Sequence, residues 1–215
     1  MNEKTRKLTL TAMIGAMAFL IMLVGRVPIV MFLKYDPKDA VIAIGGFLLG
    51  PMSAVLTSVT VSLIEMFSVS DTGWIGFFMN VLSTCSFVLP AAVFYSRKRT
   101  LRSAVIGLAA GVVIMAATMM AWNYIVTPLF MNVSRDFVAS KLLPVFLPFN
   151  LFKGVLNTGL TLLIYKPVSR ALRRAHLMPP AKAAAPASRS NLMITIVSLF
   201  VIATAILCFY LLHIG

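Results

Sequence analysis

The chain has 215 residues, of which 60% are hydrophobic and 12% charged, with a mean hydropathy of +0.96. A soluble domain is about 45–50% apolar and about 25% charged, so this chain lacks the polar surface to cover a core; soluble, collagen-like, disordered and disulfide-scaffold classes are excluded together. The net charge of +13 would point to nucleic acid in a soluble protein, but in a membrane protein the placement of the cations carries more information than their sum.

Crossing ~30 Å of hydrocarbon takes about 20 helical residues at about 1.5 Å each. The first apolar block runs from Leu8 to Val27 and stops at Pro28; it is span-length and lacks a cleavage site, so it reads as a membrane span, not a leader. The polar stretch from Leu33 to Asp39 follows, then a short apolar block from Ala40 to Leu49. Gly50-Pro51 breaks the chain there, because proline lacks an N–H and restricts its neighbour. The third block covers Met52 to Val69, the fourth Trp74 to Tyr95, the fifth Ser103 to Phe130 and the sixth Leu142 to Val168. An Ala/Pro/Ser-rich stretch over 179–191 reads as a linker to a last block from Leu192 to His213. The expectation is an all-α polytopic membrane protein: a six-helix bundle over 1–178, the linker, and one additional transmembrane helix over 192–215.

The cations orient this arrangement. With the N-terminus inside, thirteen Lys and Arg fall on one side and five on the other, with Lys153 inside the sixth block. The thirteen-cation side is expected to be cytoplasmic, which sends the end of the extra helix outside. The cysteines, Cys85 and Cys208, lie in apolar blocks without metal-ligand spacing, and His176 and His213 lie away from any acid cluster.

Polar side chains inside apolar helices are the candidate functional residues, since each costs insertion energy. Lys153 interrupts the sixth block; a lysine at that depth costs about 2.5–3.5 kcal/mol, so it either meets a partner, a cavity or a ligand, or snorkels to the interface. Asn150 is three residues before it, on the same helical face. Asn123 sits beside Trp122 and Tyr124 and suits either the polar edge of a planar ring or a helix-to-helix hydrogen bond; Asn80 has the same two readings. Glu65, near the end of the third block, either pairs with an arginine or touches a ligand. Ala12, Gly15 and Ala16 allow close backbone approach on the first helix, serving either packing within the bundle or docking of a second membrane subunit.

The sequence contains no phosphate-binding Walker loop, no Gly-x-Ser-x-Gly and no His-Glu-x-x-His. No pair of carboxylates stands inside the apolar blocks, so neither ATP hydrolysis, proton relay nor an enzyme is expected, and no cofactor or metal.

Four stretches resemble the substrate-binding S components of energy-coupling-factor vitamin transporters, and among them the riboflavin-specific group. They are the basic N-terminus running into Ala12-x-x-x-Ala16, the stretch Leu33 to Asp39 followed by Gly45-Gly46-Phe47-Leu48-Leu49-Gly50-Pro51, Asn123-Tyr124 with Pro128, and Pro148 to Lys153. The tail from Pro179 departs from the six-span pattern. The resemblance implies a cell-membrane protein that captures riboflavin from outside and docks on a membrane coupling subunit driven by two cytoplasmic ATPases. It implies ligand-binding roles for Asn123, Asn150 and Lys153, a lid containing Leu33, Lys34 and Asp36, and docking through Ala12 and Ala16. Another vitamin or small heterocycle, or a structural subunit without a ligand, are the alternatives. Riboflavin itself is uncharged, which suits a site without an acid–base pair, where a lone lysine donates to a carbonyl or hydroxyl oxygen.

Overall fold

The computed structural model describes residues 2–175 together with 195, 198, 199, 202 and 203. The chain runs α1 (Glu3–Gly25), β1 (Val27–Val30), β2 (Leu33–Tyr35), α2 (Lys38–Leu49), α3 (Pro51–Ser68), α4 (Gly73–Lys98), α5 (Leu101–Met131), α6 (Arg135–Lys141), a five-residue π-helical turn (Leu142–Phe146) and α7 (Leu147–Arg174). Helix α1, α3, α4, α5 and the continuous stretch from α6 to α7 are long and apolar enough to cross a membrane. The expected linker lies outside the described residues, as does most of the extra helix. Its described residues are helical, and Ser198 and Ile202 come against Gly159 of α7.

Two expectations change. The chain is mostly helical but not all-α: residues 27–35 form an antiparallel hairpin with Val27 opposite Tyr35, Pro28 opposite Lys34 and Val30 opposite Leu33. Proline at position 28 ends α1, and the β-branched Val27, Ile29 and Val30 suit extended backbone. The last long helix also does not begin at Leu142. Ser134 caps α6 by accepting from the Phe137 N–H, and helical structure continues from Arg135 through Pro144 and Pro148. Each proline clashes with the carbonyl four residues back, and the wider π turn relieves the clash without breaking the helix.

Helix α2 is the centre of the bundle. At 12 residues it is about 18 Å long, too short to span, and residues 38–47 are all buried. A helix apolar on nearly every side has to be surrounded, and α1, α3, α4 and α7 all pack on it. Gly45 and Gly46 make this possible: a Cβ at Gly45 would stand 2.9 Å from Ile14 Cγ2, and one at Gly46 3.0 Å from the Ala92 Cβ. Gly50 closes the helix at φ +97°, a conformation other residues avoid, and Pro51 starts α3 where its missing N–H costs nothing.

Helices α4 and α5 form the tightest pair. Arg99 in the left-handed conformation ends α4, and the Thr100 and Ser103 side chains cap the start of α5. Gly111 then lies directly on the Phe87 carbonyl, leaving no room for a Cβ. Gly111→Ala is therefore expected to cost about 1–3 kcal/mol and lower the Tm of the detergent-solubilised protein. An unchanged Tm would mean that the two helices part freely at this point.

Candidate functional site

The hairpin closes one end of the bundle. Buried Leu33 packs with Val138, Phe146 and Phe149, while the Phe32 ring meets Phe130 edge-on at 5.7 Å and Tyr35 meets Phe152 at 5.9 Å. The Tyr35 hydroxyl donates to Asn157 Oδ1 at 3.1 Å, fastening the hairpin to α7. From β2, Lys34 donates to Asp71 in the α3–α4 connection at 2.5 Å. That bond, with the charge of Lys34, holds the Asp71 carboxyl below the usual carboxylate range. Both partners are substantially exposed, so salt screens this outer clasp.

Two layers of buried charge lie beneath. In the upper layer Arg26, at the end of α1, bonds Glu65 of α3, and Lys38, at the start of α2, bonds the other Glu65 oxygen. Asp36 lies between them, with one oxygen 3.8 Å from Arg26 and 3.6 Å from Lys38. In the lower layer Lys153 Nζ stands 3.0 Å from Asp39 Oδ2 and donates to Ser83 Oγ at 3.4 Å, while Thr84 donates to Asp39 Oδ1 at 2.6 Å. Asp36, Lys38, Asp39, Glu65 and Lys153 are each at most 5% exposed. Three acids and three cations bring the two layers to formal neutrality. Asp39 also sits in the first turn of α2, where the helix dipole favours an anion.

These contacts decide the open reading of Lys153 and give Glu65 its arginine partner. Lys153 does not snorkel, being buried against Asp39, and Glu65 pairs with Arg26 as well as Lys38. They also correct the expectation of a site without an acid–base pair. Asp39 looks like part of a polar loop in the sequence, but α2 begins at Lys38 and carries Asp39 into the core, alongside Lys153.

Lys153 also lines a chamber of about 30 Å³ with Leu33, Lys34, Met79, Asn80, Ser83, Met119, Asn123, Phe149 and Asn150. Five of the six expected ligand residues thus face one space: Leu33 and Lys34 from the hairpin, Asn123 from α5, and Asn150 and Lys153 from α7. The sixth, Asp36, lines an adjoining cavity of about 40 Å³ beside Arg26 and Glu65. Asn123 spends one amide hydrogen on the Met119 carbonyl, 2.7 Å away, and its oxygen accepts from Thr127 at 2.9 Å. Asn150 spends one on the Phe146 carbonyl at 2.7 Å. Each carboxamide has two donor hydrogens, so one on each is left for another partner, and the Asn150 oxygen is not engaged by these bonds.

Ala12 and Ala16 lie elsewhere. Both are exposed on α1 beside Met13, Met17 and Leu20, whereas Gly15 faces inward toward Thr57 and Val61. The three small residues therefore split between two faces. Met79, Ser83, Met119, Arg26 and Asp39 were not legible as site residues. Methionines and serines inside apolar helices have no distinguishing pattern; Arg26 falls at the very end of the first apolar block, and Asp39 falls in the polar stretch that follows it.

Residues 6–165 match the family described as "ECF transporter, substrate-specific component". The chain is 27% identical over 182 residues to a protein of Staphylococcus aureus (strain TCH60) named riboflavin transporter RibU, covering 80% of this chain and 95% of that one. It is 26% identical over 179 residues to a protein of the same name from Streptococcus thermophilus (strain ATCC BAA-250 / LMG 18311), covering 78% and 85%. A solved structure, described as the S component of a bacterial ECF transporter, superposes with a TM-score of 0.68 at 24% identity, over 80% of this chain and all of that one.

The buried Lys153–Asp39 pair makes its own prediction. Asp39→Asn alone leaves an uncompensated ammonium in the core and is expected to cost about 3–5 kcal/mol, whereas adding Lys153→Met recovers part of that loss. Thermal unfolding of the two single variants and the double variant checks this, and strictly additive costs would show that the two charges are uncoupled.

Proposed function

The chain belongs to the substrate-specific components of ECF transporters, a family of multi-pass membrane transport subunits and not of enzymes, and on that premise we propose that it is the riboflavin-binding subunit. The observation that carries this reading is the convergence of Asn123, Asn150 and Lys153 on one chamber under the hairpin. The two relatives named riboflavin transporters support the choice of ligand.

The hydrogen-bonding capacity of the chamber suits a flavin ring. The polar edge of isoalloxazine carries two carbonyl oxygens flanking an N–H. The free amide hydrogens of Asn123 and Asn150 donate to such carbonyls, and the Asn150 oxygen accepts from such an N–H. Lys153 has three donor hydrogens, and its Asp39 and Ser83 contacts occupy two of them; the third is available to the ring. Because Asp39 neutralises Lys153, the site requires no charge on the ligand. Phe149, Met79 and Met119 supply apolar contact for the ring faces.

Ligand pockets are about 300–1,000 Å³, far above the 30 Å³ of the chamber. Binding therefore moves the hairpin and swings the methionines. The exposed Lys34–Asp71 clasp is the weak attachment of this lid, and the buried Arg26–Glu65–Lys38 layer is its fixed base. In this reading the hairpin end faces outside and the end bearing Arg97, Lys98, Arg99 and Arg102 faces the cytoplasm. The exposed Ala12–Ala16 face of α1 docks on a membrane coupling subunit powered by two cytoplasmic ATPases.

Titrating riboflavin into purified protein is expected to quench flavin fluorescence with saturation; absence of quenching and of copurified flavin would remove the riboflavin reading. Lys153→Met is expected to weaken binding by about 1.5–3 kcal/mol, the range for a charge-assisted hydrogen bond. Replacing Ala12 and Ala16 by leucine is expected to abolish uptake by cells while the isolated subunit still binds flavin. Loss of both together would place the alanines in internal packing.

A further inference from the structure

The chain past α7 lies beyond the residues that match the family, so membership assigns it nothing. Its described residues fall into two stripes. Ser198, 1% exposed, and Ile202 come against Gly159 of α7, whereas Thr195, Leu199 and Ala203 are exposed. Residues four apart share one side of a helix, so this tail helix has one face toward α7 and another away from it.

The face it meets is equally well defined. Gly159 stands about 180° around α7 from Asn150, which lines the chamber. Helix α1 packs on α2 and α3 and exposes the rest of its circumference, at Ala12, Met13, Ala16, Met17 and Leu20. Helix α7 packs on α5 and α2, yet none of its residues from Phe152 through Lys166 is exposed. Depth agrees as well. Gly159 lies nine residues from the end of the sixth apolar block at Val168, and Ser198 and Ile202 lie six and ten from the start of the last block at Leu192. At about 1.5 Å per residue these are depths of about 13, 9 and 15 Å. Two antiparallel helices entering the membrane from one face therefore meet at these residues. The short connection between the blocks also keeps the tail at high local concentration beside its own α7, ahead of a second copy.

We propose that residues 192–215 form a span that returns antiparallel to α7 and docks in cis on its outward face at Gly159, closing that flank to other membrane proteins and leaving the α1 flank open. A Cβ at Gly159 would lie 2.7 Å from Ile202 Cγ1, hence about 4 Å from the Ile202 Cβ, a separation that a disulfide spans. Gly159→Cys and Ile202→Cys are combined in the full chain, with Cys85 and Cys208 replaced by alanine and a protease site placed within 179–191, and oxidised in membranes. After proteolysis the two fragments are expected to stay joined on a non-reducing gel, and to separate in either single variant. Separate fragments from the pair would overturn the docking, and a disulfide-linked dimer would overturn its cis arrangement. A second measurement does not depend on that pair. Ser198→Trp is expected to lower the Tm of the detergent-solubilised protein by about 3 °C or more, and Leu199→Trp to leave it unchanged; equal effects would contradict the two-faced tail.

The closed flank is read from uptake, an arm that rests on the transport reading. Riboflavin uptake by cells carrying the oxidised pair is expected to match uptake by the same cells after reduction. Loss of uptake on oxidation, with flavin binding retained, would mean that the tail has to leave α7, and the closed flank would fall. Absence of uptake with the wild-type chain would instead remove the transport reading, and the closed flank with it, while the cross-link still decides the cis docking.

Discussion

Burying charge inside an apolar bundle is the constraint around which the hairpin end of this protein is organised. Each ion taken out of water loses several kcal/mol of solvation, and only close, well-oriented partners offset the loss. Six charged groups meet that condition here through residues far apart in sequence. Arg26 comes from the end of α1, Asp36 from the link between the hairpin and α2, Lys38 and Asp39 from the start of α2, Glu65 from α3 and Lys153 from α7. Displacing any of these elements strands a charge. The network thereby fixes how the hairpin and α2 sit on the longer helices, a specificity that dispersion between apolar surfaces does not supply.

The close helix contacts and the charge network depend on one another. Helix α2 carries Lys38 and Asp39 to their partners only because Gly45 and Gly46 let α1, α3 and α4 close around it. Likewise, Gly154 sits against Val112 and Met115, one residue after Lys153, bringing α7 onto α5 where Asn123 faces the chamber. The π turn between α6 and α7 lies directly ahead of Asn150. Such turns recur near functional sites because the extra residue redirects the side chains that follow.

The result is a division of labour along the bundle axis. The hairpin end has a polar, charge-neutral interior covered by a small two-stranded element. The opposite end carries a cluster of basic side chains at the α4–α5 connection and the end of α7, and exposed Ala12 and Ala16 lie on α1 apart from the chamber. In the proposed function the chamber takes the solute and the exposed flank of α1 meets other membrane subunits. Keeping these surfaces apart allows either to change without dismantling the other.

Hydropathy and proline placement were enough to establish a polytopic membrane protein and to locate the long helices within a few residues, because oil tolerates only continuous, internally bonded segments of about span length. The cost of polar groups at that depth also singled out Lys153, Asn150 and Asn123. Tertiary structure alone decided which groups satisfy them. Asp39 reads as a loop residue until α2 folds into the centre and brings it 3.0 Å from Lys153, 114 positions away in the chain. The hairpin was hidden in the same way: its strands are too short to show a period, and their pairing is backed by the packing of Phe32, Leu33 and Tyr35 on α5, α6, the π turn and α7. Local sequence records the cost of leaving water; the partner that offsets the cost is set by distance in space, which one-dimensional order does not encode.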